Sequence, residues 1–176
     1  RVTLLGDMED QHVTRFGIRK FEFDSGNILL NGKPLNLRGI TRISEFFDTG
    51  AVQPLAAMKK DFQMIKDAGF NLVRLGATAA HPKALEICDK LGLLVLEELP
   101  VWCGMSFELS DPHYQQAAES QLREMILRDR NHPCVLMWGL AHNIDNESSE
   151  GRWFIEQVAK VARSLDDRPV YLAVSG

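Results

Sequence analysis

Apolar residues recur along the chain in two rhythms, and the change falls near residue 34. Before it the pattern is one of strands. Residues 2–5 form a short apolar run, and residues 14–23 alternate apolar with polar at a period of two, as a half-buried strand does. Asp24, Ser25, Gly26 and Asn27 spell a turn, residues 28–30 a further strand, and Asn31-Gly32 a tight hairpin leading to Pro34 and Leu35. These strands are too few to close a sandwich, so they read as the end of a preceding β-domain.

From residue 35 strands alternate with helices, the order that builds a parallel sheet. Residues 35–40 read as the first strand, followed by a loop with Arg42, Glu45 and Asp48. Pro54 opens a helix to Ala68 in which Leu55, Met58, Phe62 and Ile65 share a face, and Gly69 ends it. Residues 70–75 are a second strand. Pro82 starts a helix carrying Leu85, Ile87, Cys88 and Leu91, stopped by Gly92. Residues 93–96 are a third strand running into Glu97 and Glu98, and a loop with Pro100, Trp102 and Cys103 follows. Asp111-Pro112 is an N-cap with proline in the first turn of a helix to Arg130. Residues 134–140 are too short and too uniformly apolar for anything but a strand buried on both faces. That strand ends abruptly in His142, Asn143, Ile144, Asp145, Asn146 and Glu147. Ser148 or Ser149 caps a helix to Leu165, and residues 168–174 are a fifth strand.

Five strands alternating with four helices fit either an open doubly wound sheet or the first half of an eight-fold barrel. In both, chemistry collects at the C-terminal ends of the strands, so the polar cluster at 142–147 should wall any active site. No glycine-rich phosphate loop follows a strand, which removes support from nucleotide binding.

Composition narrows the partners. The chain has 176 residues, 45% of them hydrophobic, and a net charge of −4 spread without a basic block or acidic tail. Neither nucleic acid nor an anionic membrane surface is the expected partner. No window approaches the length of an apolar membrane span. Cys88 and Cys134 read as small core residues, and His, Cys and Asp share no metal-ligand spacing, so neither a metal nor a cofactor is expected. The chain opens on Arg1-Val2-Thr3, which reads as the middle of a strand, so an excerpt of a longer protein is expected and the compartment stays open.

Four stretches together carry a resemblance. They are Phe16-Gly17-Ile18-Arg19 with Leu30-Asn31-Gly32-Lys33-Pro34-Leu35-Asn36-Leu37-Arg38-Gly39-Ile40; Asn71-Leu72-Val73-Arg74; Cys88-Asp89-Lys90-Leu91-Gly92-Leu93 through Glu98; and Arg128-Asp129-Arg130-Asn131-His132-Pro133 through Trp138. In this order they resemble glycoside hydrolase family 2, the β-galactosidases, β-glucuronidases and β-mannosidases. The resemblance implies an α/β fold: the last strands of an immunoglobulin-like sandwich over residues 1–34, then the first five strands of a (β/α)8 TIM barrel over residues 35–176. It implies a carbohydrate substrate and a retaining mechanism with two carboxyl groups about 5–5.5 Å apart. The rest of the barrel, with the nucleophile strand, would lie outside this chain, leaving it inactive alone and its edge strands open to that half or to a second copy.

The resemblance also names site residues. A family pattern like Trp-Ser-Leu-Gly-Asn-Glu corresponds to Trp138-Gly139-Leu140-Ala141-His142-Asn143, so Asn143 falls where the acid/base glutamate belongs and His142 where a sugar-binding Asn belongs. An amide has no proton to give at a useful pKa. A short insertion would move that role to Glu147. Ile43 and Ala77 stand where the family carries pocket histidines. Arg74 would orient the nucleophile or else bond Glu98; Arg42 would contact substrate or else pair with Glu45 or Asp48. Glu97 and Glu98 point to opposite faces of their strand, so at most one reaches a pocket. Trp102 is the candidate to stack on a sugar ring, while Trp138 belongs in the core. A family member that binds carbohydrate without hydrolysing it is the competing expectation.

Overall fold

The helix–strand rhythm after residue 35 folds, in the computed structural model, into one parallel sheet of five strands. The described residues are 2–4, 10–24, 26–76 and 78–174, with residues 2–4 and 10–12 by backbone only; Leu5, Ser25 and Ala77, singled out above, lie outside them.

The amino-terminal part is antiparallel. Strand β1 (Val2–Leu4) pairs with β2 (Asp10–His12), and β3 (Phe21–Asp24), β4 (Asn27–Leu30) and β5 (Lys33–Pro34) form a meander. Asn31 and Gly32 turn its last hairpin with φ of 52° and 74°, the left-handed pair such a turn requires. The strand expected over 14–23 is realised only from Phe21. Residues 13–20 run without a ladder because Arg19 reaches elsewhere: its guanidinium donates to the carbonyls of Pro133 and Val135 and lies over the Phe21 ring at 4.2 Å. Burial pushes this guanidinium down to about 10. Gly17 allows the approach, since a Cβ there would come within 2.4 Å of Pro133 Cγ. The segment is thus tied to the residues that lead into the fourth parallel strand.

The first parallel strand also starts later than expected, as β6 (Gly39–Arg42) rather than at residue 35. The Asn71 side chain explains this. It accepts from the Arg38 N–H at 2.7 Å and donates to the Asn36 carbonyl at 2.8 Å, so a side chain holds residues 36–38 and the ladder opens only at Gly39 opposite Leu72. Helix α1 (Leu55–Asp67) buries Met58, Phe62 and Ile65, while Leu55 at its start stays exposed. Strand β7 (Leu72–Leu75) leads to α2 (Pro82–Leu91), capped by His81, whose Nδ1 accepts from the Lys83 N–H, and ended by Gly92 at φ 64°. After β8 (Leu94–Glu98), a short helix α3 (Ser106–Leu109) occupies the stretch read as loop. Helix α4 (Pro112–Asp129) has Asp111 as its cap, β9 (Val135–His142) runs to His142, α5 (Ser149–Leu165) is capped by Ser148, and β10 (Val170–Ala173) ends the sheet.

Strand order is strictly sequential, β6 to β10, every pairing parallel. A doubly wound sheet needs a reversal of order at a switch point. There is none here, so the barrel reading prevails. Rows across the sheet sort the two faces. Val73, Val95 and Val135 stand in one row, and Leu75, Glu97 and Trp138 in another; all six are buried, and the five apolar ones join helix residues such as Phe62, Leu85, Leu122 and Phe154 in one core. The opposite face carries Arg74 beside Leu96, then Glu98, Gly139 and Tyr171. Arg74, Leu96 and Tyr171 are only partly buried.

Candidate active site

A cleft of about 480 Å³ opens at the C-terminal ends of β6, β7 and β9, lined by Thr41, Ser44, Glu45, Arg74, Trp102 and His142 among others. Strand alternation places Arg74 on the uncovered face, with its neighbours Val73 and Leu75 in the core. Trp102 is 63% exposed. The loop carrying it is laid against β9 by two backbone bonds, His142 N–H to the Val101 carbonyl at 2.8 Å and Cys103 N–H to the His142 carbonyl at 2.9 Å. The two rings stack, centroids 6.3 Å apart at 23°. His142 Nδ1 is buried and has no hydrogen-bond partner among the described residues.

Arg74 is held as a fork. Its Nε donates to Glu98 Oε1 at 2.6 Å and its Nη2 to Oε2 at 2.9 Å, while Tyr171 Oη donates to the same Oε1 at 2.8 Å. Glu98 is fully buried. The hydrogen bonds it donates to Glu98 hold the Arg74 guanidinium above its usual range, and burial, followed by the Glu98 charge, pushes the Tyr171 hydroxyl well up, so it stays a donor. Gly139 lies between Glu98 and Tyr171 on adjacent strands. A Cβ there would fall 2.4 Å from Glu98 Cγ and 2.8 Å from Tyr171 Cζ.

Glu97 points the other way and meets a second carboxylate. Glu97 and Asp129, at the end of α4, are both fully buried. Glu97 Oε1 accepts from the Ala80 N–H at 3.0 Å, with Arg128 Nη2 at 3.6 Å, and Arg128 also binds Asp129 and the Ala80 carbonyl. Burial, then the Asp129 charge, pushes Glu97 well above the usual carboxylate range. One guanidinium facing two buried carboxyl groups balances one negative charge, which favours the protonated form of Glu97.

The remaining candidates divide. Arg42 is turned away from the cleft: it is buried and paired with Asp61 of α1 at 2.5 Å and with Gln53, not with Glu45 or Asp48. The Phe46 and Phe62 rings lie 5.3 Å and 5.0 Å from its guanidinium carbon and favour that inward course. Asn143 is half-buried at φ 51°, its N–H donating to the Ala173 carbonyl. Glu147 is exposed, one residue before the Ser148 cap, and lies outside the cleft lining. Ser44, Thr41 and Thr78 line the cleft without having been singled out, and Tyr171 was read only as a strand residue; a single hydroxyl in a loop or strand carries no periodic signal. Asp89, His132 and Cys134, unremarkable in spacing, place ligand-type atoms within 4.8 Å of one another. Asp89 binds His132 Nδ1 at 2.6 Å and the Cys134 N–H at 3.0 Å, fixing the Asn-His-Pro turn, and burial pushes the Cys134 thiol far up, which disfavours a metal-binding thiolate.

Residues 21–175 match the family model for the TIM barrel domain of glycosyl hydrolases family 2. The chain belongs to this family. A β-galactosidase of Thermoanaerobacter pseudethanolicus is 39% identical over 172 residues, a match that covers 94% of this chain and 22% of that protein. Among solved structures, the family 2 β-galacturonidase of Eisenbergiella tayi bound to galacturonate superposes with a TM-score of 0.86 at 31% identity, covering 90% of this chain and 29% of that one. The β-glucuronidase of Parabacteroides merdae gives 0.88 at 33% identity, covering 97% and 23%. This family 2 chain therefore spans roughly a quarter of the length of such relatives, and the sequential parallel sheet described above is part of their TIM barrel domain.

Proposed function

We propose that this chain is the amino-terminal part of a family 2 barrel whose cleft holds a β-linked sugar, and that the chain alone hydrolyses no glycosidic bond. In this reading residues 1–34 end an immunoglobulin-like domain, and residues 35–176 are the first half of the barrel, completed by a further segment or by a second copy at the open edges of β6 and β10. Asn143 carries the reading. It occupies the position where the resemblance calls for the acid, it has no proton to deliver, and the alternative carboxyl, Glu147, faces solvent beyond the cleft. What stays is a sugar site in outline: an exposed tryptophan ring stacked on His142, with hydroxyls and a fixed guanidinium around it.

The test pairs a chromogenic β-galactoside and β-glucuronide assay with titration of the corresponding methyl glycosides. Binding without turnover is the expected outcome. Turnover by the isolated chain would overturn the proposal, and absence of any binding would remove the sugar site.

A second reading is that the longer protein hydrolyses terminal β-glycosides by the retaining two-carboxylate route, with Glu147 as acid/base. The 39% identity to a β-galactosidase supports it. It requires the 143–147 loop to fold inward, so an E147Q variant of the longer protein would lose activity with leaving-group dependence if Glu147 is the acid, and would be unchanged otherwise.

A further inference from the structure

We propose that Asp145 is a positioning residue for the aromatic wall of the cleft: it clasps the loop after β8 to the loop after β9 and so holds the Trp102 ring where a sugar face would meet it. This role rests on the carbohydrate reading above and names the group that fixes its stacking ring.

Most of the Trp102 side chain is exposed, so burial in the core does not hold it. Its backbone pairs with His142 as one parallel rung beyond the end of β8, through the Val101 carbonyl and the Cys103 N–H. On both chains the residue after this rung is left-handed without being glycine: Cys103 at φ 54° and Asn143 at φ 51°. A residue with a side chain is strained there, and the strain persists only where surrounding contacts outweigh it. Asp145 supplies such contacts just past the turn. Its N–H donates to the Gly104 carbonyl at 3.1 Å, and its carboxylate accepts from the Ser106 hydroxyl. Its own carbonyl accepts from the Ser148 hydroxyl at 2.9 Å, which ties the clasp to the capped start of α5. The Ser106 hydrogen bond holds Asp145 below the usual carboxylate range, so a charged acceptor faces that hydroxyl at neutral pH. A Cβ on Gly104 would come within 2.9 Å of Leu109 Cδ2 and 3.4 Å of Ile144 Cγ2, so the two loops also close on buried side chains at this point.

Rung and clasp act at different points. The rung fixes the Trp102 backbone beside His142, and the clasp fixes the course the chain takes after Cys103. Without the clasp the strained turn can relax, and the indole loses its stacked place beside the imidazole, 6.3 Å between centroids. A ring already ordered in the free protein gives up less freedom when a sugar arrives, so the clasp contributes to affinity without touching the ligand.

The experiment reads the ring twice. The chain has three tryptophans, so the Trp102 indole signal is assigned by its loss in W102F, and its 15N relaxation in the free protein reports the order of the ring. Titration with methyl β-galactoside then reports the consequence for binding. D145A and S106A should each lower the order of the Trp102 indole and weaken the glycoside about threefold to tenfold. The double variant should be no worse than either single one, because both break the same hydrogen bond. D145N keeps an acceptor oxygen toward Ser106 and should retain both the order and the affinity. Asp145 is exposed and Ser106 half-buried, so these variants leave the core intact. Unchanged indole order in D145A overturns the clasp, as does a loss in D145A that S106A does not share. A looser ring with unchanged affinity overturns the positioning role. If the unaltered chain binds no glycoside, the carbohydrate reading falls, and the indole order of the variants still decides the clasp.

Discussion

Replacing Glu97 by glutamine should flatten the pH dependence of folding, because Glu97 is buried beside a second carboxyl group. Glu97 and Asp129 are both fully buried, with one guanidinium, that of Arg128, facing them. Burial and the Asp129 charge push Glu97 well above the ordinary carboxylate range, so it keeps its proton to higher pH in the fold than in the unfolded chain. In the unfolded chain it ionises at its ordinary value. Above that value the folded state binds one more proton than the unfolded state, so stability falls as pH rises, by about 1.4 kcal/mol per pH unit, until Glu97 itself ionises in the fold. Glutamine keeps the shape: its Oε1 accepts from the Ala80 N–H and its amide donates to Asp129, the side chain that Glu97 faces. The E97Q profile should therefore lack this slope and rise above the parent as pH increases past the ordinary carboxylate range. Urea denaturation at a series of pH values, parent against variant, isolates the effect because Asp89, His132 and the other titrating groups are common to both. Parallel profiles would mean that Glu97 ionises alike in the folded and unfolded chain, and the raised ionisation would be refuted.

Three further outcomes are expected. Gly139→Ala drives a methyl into Glu98 Cγ at 2.4 Å and should cost roughly 3–5 kcal/mol by breaking a buried ion pair, measured by chemical denaturation; a loss under 1 kcal/mol would show that the strand moves freely. The His132 imidazole should titrate above the usual histidine range because of its hydrogen bond to Asp89, and D89N should return it to that range; the stabilisation is complete below the ordinary histidine value and is lost as pH rises through the raised one, which NMR titration with parallel melting curves would follow. Trp102→Ala should abolish the fluorescence response to glycosides while leaving the melting temperature within a degree or two, because the ring is largely exposed.

Much of the architecture was legible in the chain. Pro54, Pro82 and Asp111-Pro112 announce helix starts that the structure places within a residue, and Gly92 ends α2 in the left-handed conformation expected of it. These signals are local: a fixed proline φ, a capping oxygen and an absent Cβ act within one turn of chain. The buried run before His142 reads as a strand for the same reason, since a parallel strand covered on both faces has to be apolar throughout. Four motifs in order carried the family, and the family model spanning residues 21–175 agrees.

What the chain could not declare was which partner each polar group takes. Arg42, Arg74 and Arg19 look alike in sequence, yet one turns to Asp61, one to Glu98 and one to two carbonyls more than a hundred residues away. Period-two alternation promised a strand at 14–23, but the pull of the Pro133 and Val135 carbonyls on Arg19 and the cap that Asn71 places on residues 36–38 moved the strand starts. Glycine at 139 is silent in sequence, and only when three strands align does it become the gap into which Glu98 and Tyr171 fit. Secondary structure is set by neighbours along the chain. The pairing of Arg74, Glu98 and Tyr171 is set by residues brought together across three strands, where desolvation makes every unpaired group costly.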